Sequence, residues 1–208
     1  MLKQIFTELI GKYTADPVLC NDFWVEIESA YTEPHRHYHN LTHLENLISV
    51  LKDHREVAED YNALLFSVFY HDFIYDVTRQ DNEEASAALA VLRMSMLGVP
   101  ENTVRNCCEQ ILATKAHAEN TDPDTNLFTD ADLSVLGRDY SSYMEYTAQI
   151  RQEYIIYPDT LYNPGRIQVL EHFLAQNRIF KTEAFFLQSE EQARLNIKGE
   201  IALLSTQA

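Results

Sequence analysis

Glycine is scarce in this chain: the 208 residues contain five, and Gly11, Gly98, Gly137, Gly165 and Gly199 are never closer together than 28 positions. A backbone cradle for phosphate needs glycines within a few residues of one another. Neither a P-loop nor a dinucleotide-binding loop can therefore be built, and no G-x-S-x-G nucleophile turn is present. Sheet-rich folds that rely on glycine in their turns are disfavoured for the same reason. Basic residues are also few, with 16 Lys+Arg against 32 Asp+Glu and a formal charge of −16. Binding a nucleic-acid polymer means neutralising many phosphates, which an acidic surface opposes. The three cysteines, Cys20, Cys107 and Cys108, are odd in number and lack C-x-x-C spacing. They suggest neither a disulfide framework nor a zinc knuckle, and are expected in or near the core. Long apolar runs are missing too, since the most apolar stretch, Ala63 to Tyr75, is short and carries His71 and Asp72. It is too short to span a bilayer. Glu8 interrupts the first apolar stretch and no small-residue cleavage site comes after it, so a cytoplasmic protein without a membrane partner is expected.

What the chain does have is helical periodicity. Leu2, Ile5, Phe6, Leu9 and Ile10 recur at helix spacing, as do Val18, Leu19, Phe23, Trp24 and Ile27, and then Leu44, Leu47, Ile48 and Leu51. Start signals accompany them: Asp16-Pro17 opens one helix, Asn40 caps another, and Asp81 with Glu84 forms a capping-box-like pair before Ala85 to Leu97. Gly98 and Pro100 close that helix and open the next. Tyr31 to Tyr38 and the polar Ala118 to Asn126 read as loops leading to or from a site. Further helices are expected over Tyr140 to Ile156, Pro164 to Phe180 and Thr182 to Leu204. An apolar share of 46% is enough for a substantial core. With no repeat or linker, residues 1–208 read as one compact all-α, multi-helix domain.

The chemistry-bearing residues are histidines and acids. His39 and His43 are four apart across a helix start, which puts both imidazoles on one side of the first turns. His71-Asp72 ends the run Leu64 to Tyr70, apolar on nearly every face and therefore buried. Burying an adjacent His and Asp is costly without a partner, and a metal ion is a suitable one. Two more acids, Asp130 and Asp132, lie in the apolar context of Phe128 to Leu133. Two neutral imidazoles and two carboxylates carry −2, which a divalent cation cancels. His35, His37, His54 and His172 have no such context and read as structural.

His43, then His71-Asp72, then Asp132 resemble the H…HD…D signature of the HD-domain metal-dependent phosphohydrolases. Tyr38-His39-Asn40-x-x-His43 and Ala131-Asp132-Leu133-Ser134 are similar to the metal-site segments of the cyclic-nucleotide phosphodiesterases, one branch of that superfamily. Asp81-Asn82-Glu83-Glu84-x-Ser86-Ala87, Ala113-Thr114-Lys115-x-His117, Arg151-x-Glu153-Tyr154, Gly165-Arg166 and Ala193-Arg194-x-Asn196 resemble a subgroup of predicted HD phosphohydrolases, so the likeness spans nearly the whole chain. It implies an HD-type fold, with His43, His71, Asp72 and Asp132 as metal ligands and His39 as the general acid. Asp130 would then support a ligand or lie on a helix surface. The chain departs from both familiar branches after the HD pair. Phe73-Ile74-Tyr75 supplies neither the further histidine of the phosphodiesterases nor the glutamate of the deoxynucleotidases. His117, Glu83 and Glu84 are substitutes for a second metal, and Glu83, Lys115, His117 and Arg166 are candidates for holding substrate or supporting the ligands.

The implied activity is hydrolysis of a phosphoester, in a nucleotide or another small phosphorylated metabolite. A water on a divalent ion (Mn, Mg, Fe, Co, Ni or Zn) would attack while His39 protonates the leaving oxygen. Two other readings are open: a catalytically silent metal- and ligand-binding regulatory module, and a di-iron oxygenase of the HD type. With no glycine cradle, phosphate recognition would fall to the metal and to a few side chains such as Lys115 or Arg166.

Overall fold

A computed structural model describes residues 1–206, and all regular structure among them is helical. The backbone groups into two compact units, Met1–Thr129 and Asp130 onward.

The first unit carries α1 (Leu2–Ile10), α2 (Pro17–Tyr31), α3 (Leu41–Lys52), α4 (Tyr61–Tyr70), α5 (Asn82–Met96) and α6 (Glu101–Ala113). Its organising element is α4, in which every residue from Ala63 to Tyr70 is buried. Helices α1, α3, α5 and α6 pack around it. Each large apolar side chain buried there contributes roughly 1.5–3 kcal/mol, and the T-shaped contact of Phe6 with Phe69, ring centroids 4.9 Å apart, marks the centre of this core. A helix buried on all sides delivers the residues after its last turn into the interior, and after Tyr70 these are His71 and Asp72. Its start is fixed at a distance in sequence: Asp124 accepts the Glu59 and Asp60 amides at 3.0 and 2.7 Å, and Asp60 caps Ala63.

Asp16 caps α2, with Pro17 in its first turn, and Asn40 caps α3 by accepting the Thr42 amide at 2.8 Å. The expected capping box at Asp81 does not form. Asp81 does precede α5, which begins at Asn82, but its carboxylate is taken by Arg79, and Glu84 pairs with Lys115. Arginine and lysine simply outcompete the neutral amides as partners. Gly98 ends the helix in the left-handed region, φ 70°, where a side chain would be strained. Cys20 and Cys107 are buried and Cys108 half-buried; burial pushes the Cys107 thiol up to about 12.

Helix α7 (Pro123–Asp132) begins inside the stretch expected to be a loop: Pro123 occupies its first turn, where the missing N–H costs nothing. The division between units at Thr129 falls within this helix, which continues unbroken to Asp132.

The second unit comprises the 3-10 turn Leu133–Gly137, α8 (Tyr140–Glu153), α9 (Asp159–Ala175) and α10 (Glu183–Thr206). Pro164 lies inside α9 and does not open it, since the helix starts at Asp159. It also ends at Ala175, and the Ile179 and Phe180 amides are held by Glu190. Gly137 is required by close approach: a Cβ there would meet Ser189 Cβ of α10 at 2.5 Å. Tyr143 is fully buried, whereas Tyr140 is exposed. No helix among the described residues is long and apolar enough to cross a membrane.

Candidate metal centre

The site is assembled from the start of α3, the end of α4 and helix α7. The Asn40 cap fixes the first turn of α3, which carries His43 inward, 3% exposed. His71 comes directly after α4 and is 1% exposed. Its Nδ1 lies 3.1 Å from the Val68 carbonyl. A carbonyl can only accept, so Nδ1 is the donor in this contact and Nε2 is the nitrogen turned to the cluster, the orientation a metal-binding histidine needs. That Nε2 sits 3.1 Å from His43 Nε2 and 2.9 Å from Asp72 Oδ2. Asp72 Oδ2 is also 3.9 Å from His43 Nε2 and 4.0 Å from His39 Nε2. Phe128 of α7 packs edge-on to His71, centroids 5.6 Å apart, and the same helix ends at Asp132. The ligand atoms of His43, His71 and Asp132 lie within 4.8 Å of one another, a His-His-Asp group that can hold a metal ion.

The dimensions suit such an ion. Ligands about 2.0–2.2 Å from a common metal stand about 3.0–3.5 Å apart in octahedral or tetrahedral arrangements, and the imidazole pair at 3.1 Å is already within that span. The donor set is two imidazoles with a carboxylate, Asp72 adding a second carboxylate beside them. Such a set can hold a metal ion.

His39 occupies the rim, with a side chain 20% exposed. The Tyr75 ring lies against it at 4.3 Å and 33°, and Tyr38 meets it edge-on at 5.0 Å.

The remaining candidates are distributed. Lys115 donates to Glu84 and to the Gln80 carbonyl, with Glu83 3.8 Å away. His117 lies beyond the end of α6 in a left-handed backbone conformation, φ 47°, uncommon for a non-glycine residue. Arg166 pairs with Glu200 of α10, Nε to Oε1 at 2.8 Å. Asp130 does not lie on a helix surface. It is fully buried and accepts the Lys181 and Thr182 amides and the Thr182 hydroxyl at 2.7–2.8 Å. Burial nonetheless raises its carboxyl pKa, against the lowering effect of those bonds. Two neighbouring acids on one helix therefore have separate duties. Sequence reasoning passes over Tyr75 and Arg36, which frame His39. No local signal marks an arginine in a loop as buried.

No protein-family model, curated protein or solved structure matches the chain.

Proposed function

We propose that the protein is a metal-dependent phosphohydrolase of the HD type, acting on the phosphoester of a nucleotide or another small phosphorylated metabolite. The observation that carries the proposal is the convergence of His43, His71 and Asp132 ligand atoms within 4.8 Å, in the order the HD signature implies. Asp72 lies beside them and His39 on the rim. A divalent ion held there would supply Lewis-acid polarisation of a phosphoryl oxygen and an acidified water. The chain's own part is to orient and to move protons. His39 is the residue placed to protonate a leaving alkoxide: it is partly exposed and its ring is confined by Tyr38 and Tyr75. Lys115 could turn from Glu84 to a phosphate at little cost, since an exposed, solvent-screened ion pair contributes little. Arg166 would have to abandon a buried bidentate pair to do the same.

The test is metal content and turnover over a phosphoester panel with Mn²⁺, Mg²⁺, Fe²⁺, Co²⁺ and Zn²⁺. Asp132→Ala is expected to lose both metal and turnover. His39→Ala is expected to keep the metal and lose about 10²–10⁴-fold in rate. Full activity in Asp132→Ala would sink the assignment. A silent metal-holding module is the second reading, favoured by Phe73-Ile74-Tyr75 supplying neither a further histidine nor a glutamate after the HD pair. Tight binding of a phosphoester without turnover under every metal would establish it instead.

A further inference from the structure

Arg36 lies in the loop between α2 and α3, yet its side chain is only 1% exposed. A guanidinium out of water must find acceptors, and the identity of these acceptors is informative. Nε donates to Glu33 at 3.0 Å. Nη1 donates to the Asp72 carbonyl at 2.6 Å and the His39 carbonyl at 3.3 Å, and Nη2 to the Phe73 carbonyl at 2.9 Å. One planar fork thus joins the segment before α3 to the segment after α4, and two of its three backbone acceptors belong to residues of the candidate site. Its faces are used as well. The guanidinium carbon is 5.0 Å from the Tyr31 ring centroid and 5.4 Å from that of Tyr75. Tyr31 returns to the same point, its hydroxyl accepting the Asp72 amide at 3.2 Å, so both backbone groups of Asp72 are tied to this assembly. Tyr75, in turn, carries the His39 ring against its own.

We propose that Arg36 is a positioning residue of the metal centre: its buried guanidinium ties the His39 and Asp72 backbones together and, through Tyr75, sets the plane of the His39 ring. The proposal rests on reading the histidine cluster as a metal centre. Lysine cannot replace the fork, because a compact ammonium cannot span three carbonyls in one plane while lying between two rings.

The test compares full-length wild type with Arg36→Met and Arg36→Lys, read by Co²⁺ titration with its visible spectrum and by ring-to-ring nuclear Overhauser effects in the metal-free protein. Removing such an outer partner typically weakens metal binding about 10–100-fold. That loss is expected in both variants, with an altered Co²⁺ band and without the His39–Tyr75 effect, while the Phe6–Phe69 effect of the distant core persists. A folded variant with wild-type affinity, or with the His39–Tyr75 contact intact, overturns the proposal. Loss of the Phe6–Phe69 effect in both variants would make Arg36 a general folding element and overturn it equally. If wild type itself takes up no Co²⁺, the metal-centre reading fails, and the ring contact alone still decides whether Arg36 orients His39.

Discussion

Glu200 and Asp72 are both carboxylates held among polar side chains in an otherwise apolar setting, and their neighbours differ in one decisive respect. Around Glu200 the chain supplies its own cation: Arg166 donates Nε and Nη2 to its two oxygens, Tyr143 donates its hydroxyl, and Tyr146 accepts from Arg166 at 3.3 Å. At the Asp72 carboxylate stand the ring nitrogens of His71, His43 and His39, while the Arg36 guanidinium is bonded to the Asp72 carbonyl. A buried carboxylate whose two oxygens are both held by one arginine is a structural unit, whereas carboxylates gathered on imidazoles suit an added cation. This difference, more than the number of polar groups, separates a structural cluster from a candidate site.

The most severe test of the contrast is to remove the anion from the Glu200 cluster. Arg166 and Glu200 side chains are 10% and 5% exposed, so Glu200→Gln leaves a buried guanidinium without its counter-charge. A loss of about 3–5 kcal/mol is expected, measured by urea unfolding. The double variant Arg166→Met/Glu200→Leu should recover most of it, because apolar pairs of similar volume replace buried ion pairs at little cost. A single variant as stable as wild type would show that the pair contributes nothing.

The histidine cluster should behave in the opposite way, with its stability depending on what is added. An ion present at 100 times its dissociation constant stabilises by about 2.7 kcal/mol. Wild type should therefore melt at a higher temperature with Zn²⁺ or Mn²⁺ than in EDTA, and His71→Ala should abolish that difference. An equal metal-induced shift in His71→Ala would place the metal elsewhere.

These contrasts are legible in the sequence to different depths. Helix α4 and its terminal His71-Asp72 can be read directly, because an unbroken apolar run has only one solution, burial, and forces the residues after it inward. The Asp16 and Asn40 caps are readable because a short acceptor beside an apolar period has few other uses. Asp81 fails by the same rule, since Arg79, two residues away in sequence, offers its carboxylate a stronger partner than an amide. The two prolines mislead in different ways: Pro164 stands inside a helix without opening it, whereas Pro123 opens a helix within a polar stretch that reads as a loop. Arg36 and the Arg166–Glu200 pair are beyond the reach of local patterns, because each depends on partners 34 to 37 positions away.

The smallest expected effect concerns the tyrosines of the second unit. Burial first, with the Glu200 carboxylate adding to it, raises the phenols of Tyr143 and Tyr162, and Tyr162 is pushed up to about 12. The folded state therefore keeps a proton that the unfolded chain gives up near pH 10. Stability from this source is fully present below pH 10 and is lost as pH rises through 12, at about 1.4 kcal/mol per pH unit for each such group. Tyr162→Phe removes one titrating group while keeping a ring for the Arg151 guanidinium, 4.7 Å from its centroid. Its unfolding free energy should fall by about 1.4 kcal/mol less than that of wild type between pH 9 and pH 11. Metal-free and metal-loaded protein should show the same difference, because burial is the largest cause of the raised Tyr162 phenol; a difference that appears only with metal would mean that the two clusters are coupled.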